Sequence, residues 1–246
     1  MTLWLVAAVA ILIGTVLQRV SGTGVGLVCA PILALLLGSG QGVLVTNATT
    51  TVSGLLIGLS VRHLVDRRLA ITVCLAAIPG AVAGALIVRA LPAAWLQVVI
   101  GTVVLLGLLT AVATPKLPHW PGRGAMVVAG VIGGLFNTTA GVAAPAMVVY
   151  SRLARTEQRT FAATLQPIFM TMGALSVASK TLLGSTQGEY PPPWFALVVL
   201  VVVVLGIRIG AWVAERVSPA RARTLALILA GAGGAVTLIR GLVTLL

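Results

Sequence analysis

Three amide side chains and a set of hydroxyls are the groups in this sequence whose type and placement point to chemistry. Asn47 and Thr50 lie in "TNATTTVSG", Asn137, Thr138, Thr139 and Gly141 in "FNTTAGVAAP", and Gln166 just before Pro167. Each group sits beside a glycine or proline within otherwise apolar sequence. A third polar stretch, "SGTGVGLVCAP", carries Thr23, Gly24 and Gly26, with Arg19 two residues upstream of it. Where glycine and proline interrupt a helix, the next helix presents free backbone N–H groups and the positive end of its dipole, and such ends favour anions. Hydroxyls and amides added to two such ends make an uncharged nest suited to a small oxyanion. The candidate binding residues are therefore Arg19, Thr23, Gly24, Gly26, Asn47, Thr50, Asn137, Thr138, Thr139, Gly141 and Gln166. Arg19 either pairs with the anion or snorkels to an interface. A lone Thr in such a segment more often bonds its own preceding turn.

Other chemistries find little support. The four acidic residues, Asp66, Glu157, Glu189 and Glu215, fall in connectors or at a span end, so no carboxylate relay or carboxylate sodium cage is placed at depth. His63 and His119 are in connectors, and Cys29 and Cys74 have no metal-ligand spacing. Neither HExxH nor GxSxG occurs, "GTGVG" follows no strand, and no Walker A run is present. No catalytic residue, metal site or cofactor is expected.

The elements that position these groups follow from composition. The 246 residues are 59% hydrophobic and 8% charged, with a mean hydropathy of +1.13. Water-soluble folds cannot hide that much apolar surface, and the runs approach the ~20 residues that a helix needs to cross hydrocarbon. The fold expected is all-α integral membrane: a polytopic helical bundle with segments at 3–20, 24–37, 41–61, 69–88, 93–113, 125–150 (interrupted), 161–183, 194–214 and 223–243. The formal charge of +12 does not signal nucleic acid, because the basic residues cluster in short connectors beside apolar spans.

The chain reads as one transmembrane domain, 1–246, built from a repeat at about 1–113, a connector at 114–124 and a second repeat at about 125–246. "RALP" and "ERVSP" both place Arg three residues before Pro, as Arg89/Pro92 and Arg216/Pro219, and "SGTGVGLVCAP" parallels "NTTAGVAAP". Charge sets the orientation. If 125–150 crossed the membrane fully, the basic connectors at 62–68 and 152–159 would lie on opposite faces, against the positive-inside bias. If it turns back as a hairpin of two helices of about 13 residues, each ~20 Å long, all the basic connectors share the cytoplasmic face. The segment 3–37 would be the matching hairpin entering from the other face, which makes an inverted pair with broken or re-entrant helices at the start of each half. Arg208 on the penultimate span either marks a permeation path or snorkels. Lys180, near the external end of its span, reads as an interfacial anchor.

"GTGVGLVCAP", "TNATTTVSG", "GVIGGLFNTTAGVAAP" and "RTEQRTFAAT" together resemble the sulfite exporter TauE/SafE family of bacterial membrane transporters, over essentially the whole chain. The resemblance implies export of sulfite, organosulfonates or related small anions by a multi-pass protein of the cell (inner) membrane. The expected partners are a small anionic substrate and the lipid bilayer; a homo-oligomer is compatible with the sequence. The runner-up is an integral membrane enzyme acting on a lipid phosphate, which lacks a nearby general acid or base.

Overall fold

The computed structural model describes residues 2–22, 25–112, 117–186 and 190–246. Among them there is no strand, and ten α-helices follow one another: α1 Thr2–Ser21, α2 Val25–Leu37, α3 Ser39–Val61, α4 Arg67–Ala90, α5 Ala93–Val112, α6 Arg123–Ala140, α7 Ala144–Ala154, α8 Gln158–Leu182, α9 Pro193–Ala214 and α10 Pro219–Leu245. Seven of these (α1, α3, α4, α5, α8, α9 and α10) are long and apolar enough to cross a bilayer. The molecule is an all-helical, multi-pass membrane protein.

Local chemistry sets the boundaries. Asp66 caps α4 by accepting from the Leu69 N–H, and the Ser218 hydroxyl accepts from the Arg221 N–H at the start of α10. α6 ends on Gly141, whose φ of 74° is the left-handed conformation that glycine adopts without strain, and the Gly141 N–H donates back to the Asn137 carbonyl. Gly22 closes α1 in the same way, with φ of 80° and its N–H on the Gln18 carbonyl.

The interruption between α6 and α7 differs from the symmetric one expected. α6 has 18 residues and α7 has 11, about 27 Å and 17 Å of helix rather than two equal pieces. The helix runs through Asn137, Thr138 and Thr139 because these residues need not break it. The Thr139 hydroxyl donates to the Leu135 carbonyl of its own preceding turn at 2.9 Å, and Asn137 finds partners on another helix.

Both short helices fold back on the helix before them. The Trp120 N–H, just ahead of α6, donates to the Leu153 carbonyl near the end of α7 at 3.0 Å, so the two ends of this helical pair lie together. In α1 and α2 the Cys29 thiol donates to the Ala10 carbonyl, and a Cβ on Gly14 would press on Cys29 Sγ and the backbone of Val25, which is antiparallel packing.

Close helix contacts depend on missing side chains. Gly80 and Gly84 of α4 admit the α6 backbone at Val131 and Leu135 and the side chain of Thr138; Gly206 and Gly210 of α9 admit α1 at Leu12, Thr15 and Arg19. Lipid tails are as apolar as a helix surface, so association rests on this van der Waals fit rather than on escape from solvent. α4 packs on α6 and α9 on α1, while α3 pairs with α8, the two most buried of the long helices, and α5 pairs with α10. Gly80→Val places a branched side chain against the Val131 carbonyl and should lower stability by about 1–3 kcal/mol, read as a fall in Tm in detergent. Gly58→Ala, whose Cβ meets nothing nearer than 3.5 Å, should leave Tm nearly unchanged.

Candidate functional site

The apolar packing leaves polar side chains with one option, which is to find each other. Asn47 of α3 and Asn137 of α6 are 0% and 2% exposed. Asn137 Nδ2 donates to Asn47 Oδ1 at 2.8 Å, and Asn47 Nδ2 donates both to the Asn137 carbonyl at 3.1 Å and to Ser176 Oγ of α8 at 2.8 Å. A second amide pair joins α1 to α8. Gln18 Nε2 donates to Gln166 Oε1 at 3.0 Å, and Gln166 Nε2 reaches the carbonyls of Gly22 at 3.3 Å and Ala162 at 3.2 Å. Unsatisfied amides at this depth would cost several kcal/mol each.

The two pairs share one spacing. Asn137 precedes Gly141 by one helical turn, as Gln18 precedes Gly22, and the offset from Gly22 to Gly141 also carries Asn47 to Gln166 and Gly54 to Gly173. The contacts follow the same rule. A Cβ on Gly54 would meet the Gln166 carbonyl and Met170 N of α8, and one on Gly173 would meet the Asn47 carbonyl and Thr51 N of α3. The register is therefore set by the glycine turns and not by the prolines, since Pro31 lies inside α2 while Pro145 opens α7.

At the centre the first turn of α2 touches the turn between α6 and α7. A side chain on Gly26 would collide with the Gly141 carbonyl. Around this contact the N-terminal residues of α2 and α7 (Val25, Gly26 and Ala144) border a small cavity with Gln18, Thr50 and Asn137. The cavity is about 20 Å³, enough for a water-sized occupant. Its polarity comes from backbone ends and amides, with no charged side chain in the lining.

A larger space lies on the other side of the Gln18–Gln166 pair. It encloses about 550 Å³ between α1, the turn after α3 and the start of α8, bordered by Arg19, Ile57, Val61, Glu157, Arg159 and both glutamines. Beside it a polar cavity of about 270 Å³ is lined by Ser21, Ser151, Thr156, Arg152 and Arg223. Arg152 and Arg223 both donate to the Ala111 carbonyl at the end of α5, at 3.2 Å and 3.3 Å. The basic connectors thus gather at the mouth of these spaces.

The residues singled out from sequence separate into groups. Gly26, Thr50, Asn137 and Gly141 border the central cavity; Asn47 and Gln166 stand behind it as partners of Asn137 and Gln18. Arg19 is half-buried, lies against Gly210 of α9 and borders the larger space instead. Thr138 packs against Gly84 of α4, and Thr139 bonds its own helix, so neither hydroxyl borders the central cavity. Thr23 and Gly24 lie outside the described residues. Gln18, Phe169 and Ser176 were not legible as site residues; Gln18 could have been found by aligning the halves on Gly22 and Gly141. Arg208 is exposed on α9, which fits a snorkelling role and not a permeation path. Lys180 is not an interfacial anchor, being 1% exposed inside the bundle. Among the described residues no cluster of three His, Cys, Asp or Glu side chains could hold a metal ion.

Residues 6–237 match the family model described as Sulfite exporter TauE/SafE. The chain belongs to that family. No curated protein and no solved structure matched. Membership in the TauE/SafE family makes the protein a membrane transporter of the sulfite-exporter type, and nothing in the geometry supports the lipid-phosphate enzyme.

The amide pairing generates a direct energetic test. Asn47→Leu and Asn137→Leu should each destabilise the protein, and the double variant should cost less than the sum, with a coupling of about 0.6–1.7 kcal/mol in a detergent unfolding cycle. Strict additivity would mean that the two amides do not share a bond.

Proposed function

We propose that this TauE/SafE protein exports small anions such as sulfite or organosulfonates across the cell (inner) membrane by alternating access to a midplane site. The site is the cavity between the N-termini of α2 and α7, with Thr50, Asn137 and the glycine turns as its walls. In this reading the chain is two inverted repeats, each opened by a re-entrant hairpin: α1–α2 in the first and α6–α7 in the second. Supporting it are the return of α7 to the start of α6, the matching glycine turns, and the exchange of contacts between halves.

The orientation follows from charge. Three connectors carry nine arginines: Arg62, Arg67 and Arg68; Arg152, Arg155 and Arg159; Arg216, Arg221 and Arg223. The larger space is bordered by Leu64, Arg159 and Pro219, which belong to those same connectors. The positive-inside bias then makes this space a cytoplasmic vestibule, so the conformation is open toward the cytoplasm. Arg19 and Arg159 raise the local concentration of anions there, and the Gln18–Gln166 pair is the floor between vestibule and site.

Admission of an anion requires that floor to part. The central cavity holds only a water-sized occupant, so substrate must separate Gln18 from Gln166 and take over their hydrogen bonds. Two helix N-termini and neutral amides bind an anion without a fixed counter-charge, which keeps the site weak enough for release. No nucleotide-binding motif accompanies the site, and the reading is of a secondary transporter.

The observation that carries this proposal is the meeting of Gly26 and Gly141 at a cavity bordered by two helix N-termini. Sulfite flux into proteoliposomes tests it. Wild-type protein should move sulfite, Asn137→Leu should abolish the flux while retaining most of the protein's stability, and unchanged flux in Asn137→Leu would refute the site.

A further inference from the structure

The vestibule on the cytoplasmic side has a counterpart in the other half, and the two differ in one consequential way. The offset that takes Gly22 to Gly141 takes the vestibule residues Gln18, Gln166, Ile57 and Val61 to Asn137, Asn47, Ser176 and Lys180. In this conformation the counterpart set is closed. Asn47 and Ser176 are 0% exposed and Lys180 is 1% exposed, while Ser39 Oγ at the start of α3 donates to the Ala93 carbonyl of α5 at 3.3 Å across the same end of the molecule.

Lys180 is unusual within that closed set. Its Nζ is buried and, among the described residues, has neither a hydrogen-bond partner nor a carboxylate paired with it. Thr138 Oγ1 and Ser185 Oγ are also buried without partners. A lone ammonium is costly to bury, and apolar residues suffice at the equivalent positions of the first half, Ile57 and Val61. Lys180 also continues a polar column from the centre. Asn47 bonds Ser176, and Lys180 lies one helical turn beyond Ser176 on the same face of α8.

We infer that Lys180 is the anion-binding residue of a second vestibule, closed here, that opens on the external face when the two halves exchange conformations. This inference rests on the alternating-access reading above. In the alternate conformation the Asn47–Asn137 pair parts as the floor, and an oxyanion moving outward from the central site meets the Lys180 ammonium with the Ser176 hydroxyl one helical turn away. The cytoplasmic vestibule carries Arg19 and Arg159 in its lining; the external one holds its cation along the path itself. Anion binding there is charge-assisted and stronger than at the neutral centre.

Two measurements test this independently. In sided proteoliposomes with sulfite as the probe, Lys180→Met should raise the half-saturating sulfite concentration on the external side about tenfold or more. The cytoplasmic value should stay within about twofold. Lys180→Arg should restore most of the loss, and Tm of Lys180→Met should not fall, because an unpaired buried amine is removed. An external half-saturation unchanged by Lys180→Met overturns the inference. In a Cys29→Ala/Cys74→Ala background, Lys180→Cys should react with a membrane-impermeant thiol reagent added outside, and Val61→Cys with the reagent added inside. Failure of Lys180→Cys to react from outside overturns the second vestibule whether or not sulfite moves. Absence of sulfite flux in the wild type, with the labelling pattern intact, would instead refute sulfite as substrate and leave the two vestibules standing.

Discussion

A peptide or amide group removed from water must be hydrogen-bonded within the protein, and the centre of this molecule is organised by that requirement. α1 and α6 both stop on glycines in left-handed conformation, and the chain turns back there, which frees backbone groups that a continuous helix would have satisfied. The amides one turn before each glycine then become the connection to the rest of the bundle. Asn137 is tied to α3 and, through Asn47, to Ser176 on α8; Gln18 is tied to α8, and Gln166 in turn holds the Gly22 carbonyl. These bonds tie the turns to the rest of the bundle, where the neighbouring helix contacts are largely apolar and non-directional.

The same constraint explains why the central cavity is neutral. A fixed arginine or lysine beside it would carry a desolvation penalty, whereas helix ends carry partial charge at little cost. The permanent charges stand elsewhere. Arginines collect around the two larger spaces, and α9 presents Arg208 to its exposed surface. Lys180 is the exception, buried with no partner among the described residues.

Much of this was legible in the sequence, for identifiable reasons. Helical class and multi-pass character follow from long apolar runs; Asn47, Asn137 and Gln166 stood out because amides are expensive in such runs. Other features were hidden by local context. Gln18 sits in α1 between Leu17 and Arg19 with no glycine or proline adjacent, and only its spacing to Gly22 marks it. The length of α6 was misjudged because "NTTA" reads as a break, although Thr139 bonds its own turn and the helix continues to Gly141. Lys180 looked like an anchor because sequence gives distance along a helix but not which face the bundle covers. Thr138 has the right composition for an anion site, but its face of α6 is taken by Gly84.

The central claim is that two reversed turns create one anion site between the N-termini of α2 and α7. An experimental structure determined with sulfite present addresses it most directly. Sulfite density is expected against the backbone N–H groups near Gly26 and Ala144, in contact with Asn137 and Thr50, with Gln18 and Gln166 no longer bonded to each other. Density bound elsewhere, with both amide pairs intact and the cavity still water-sized, would contradict it.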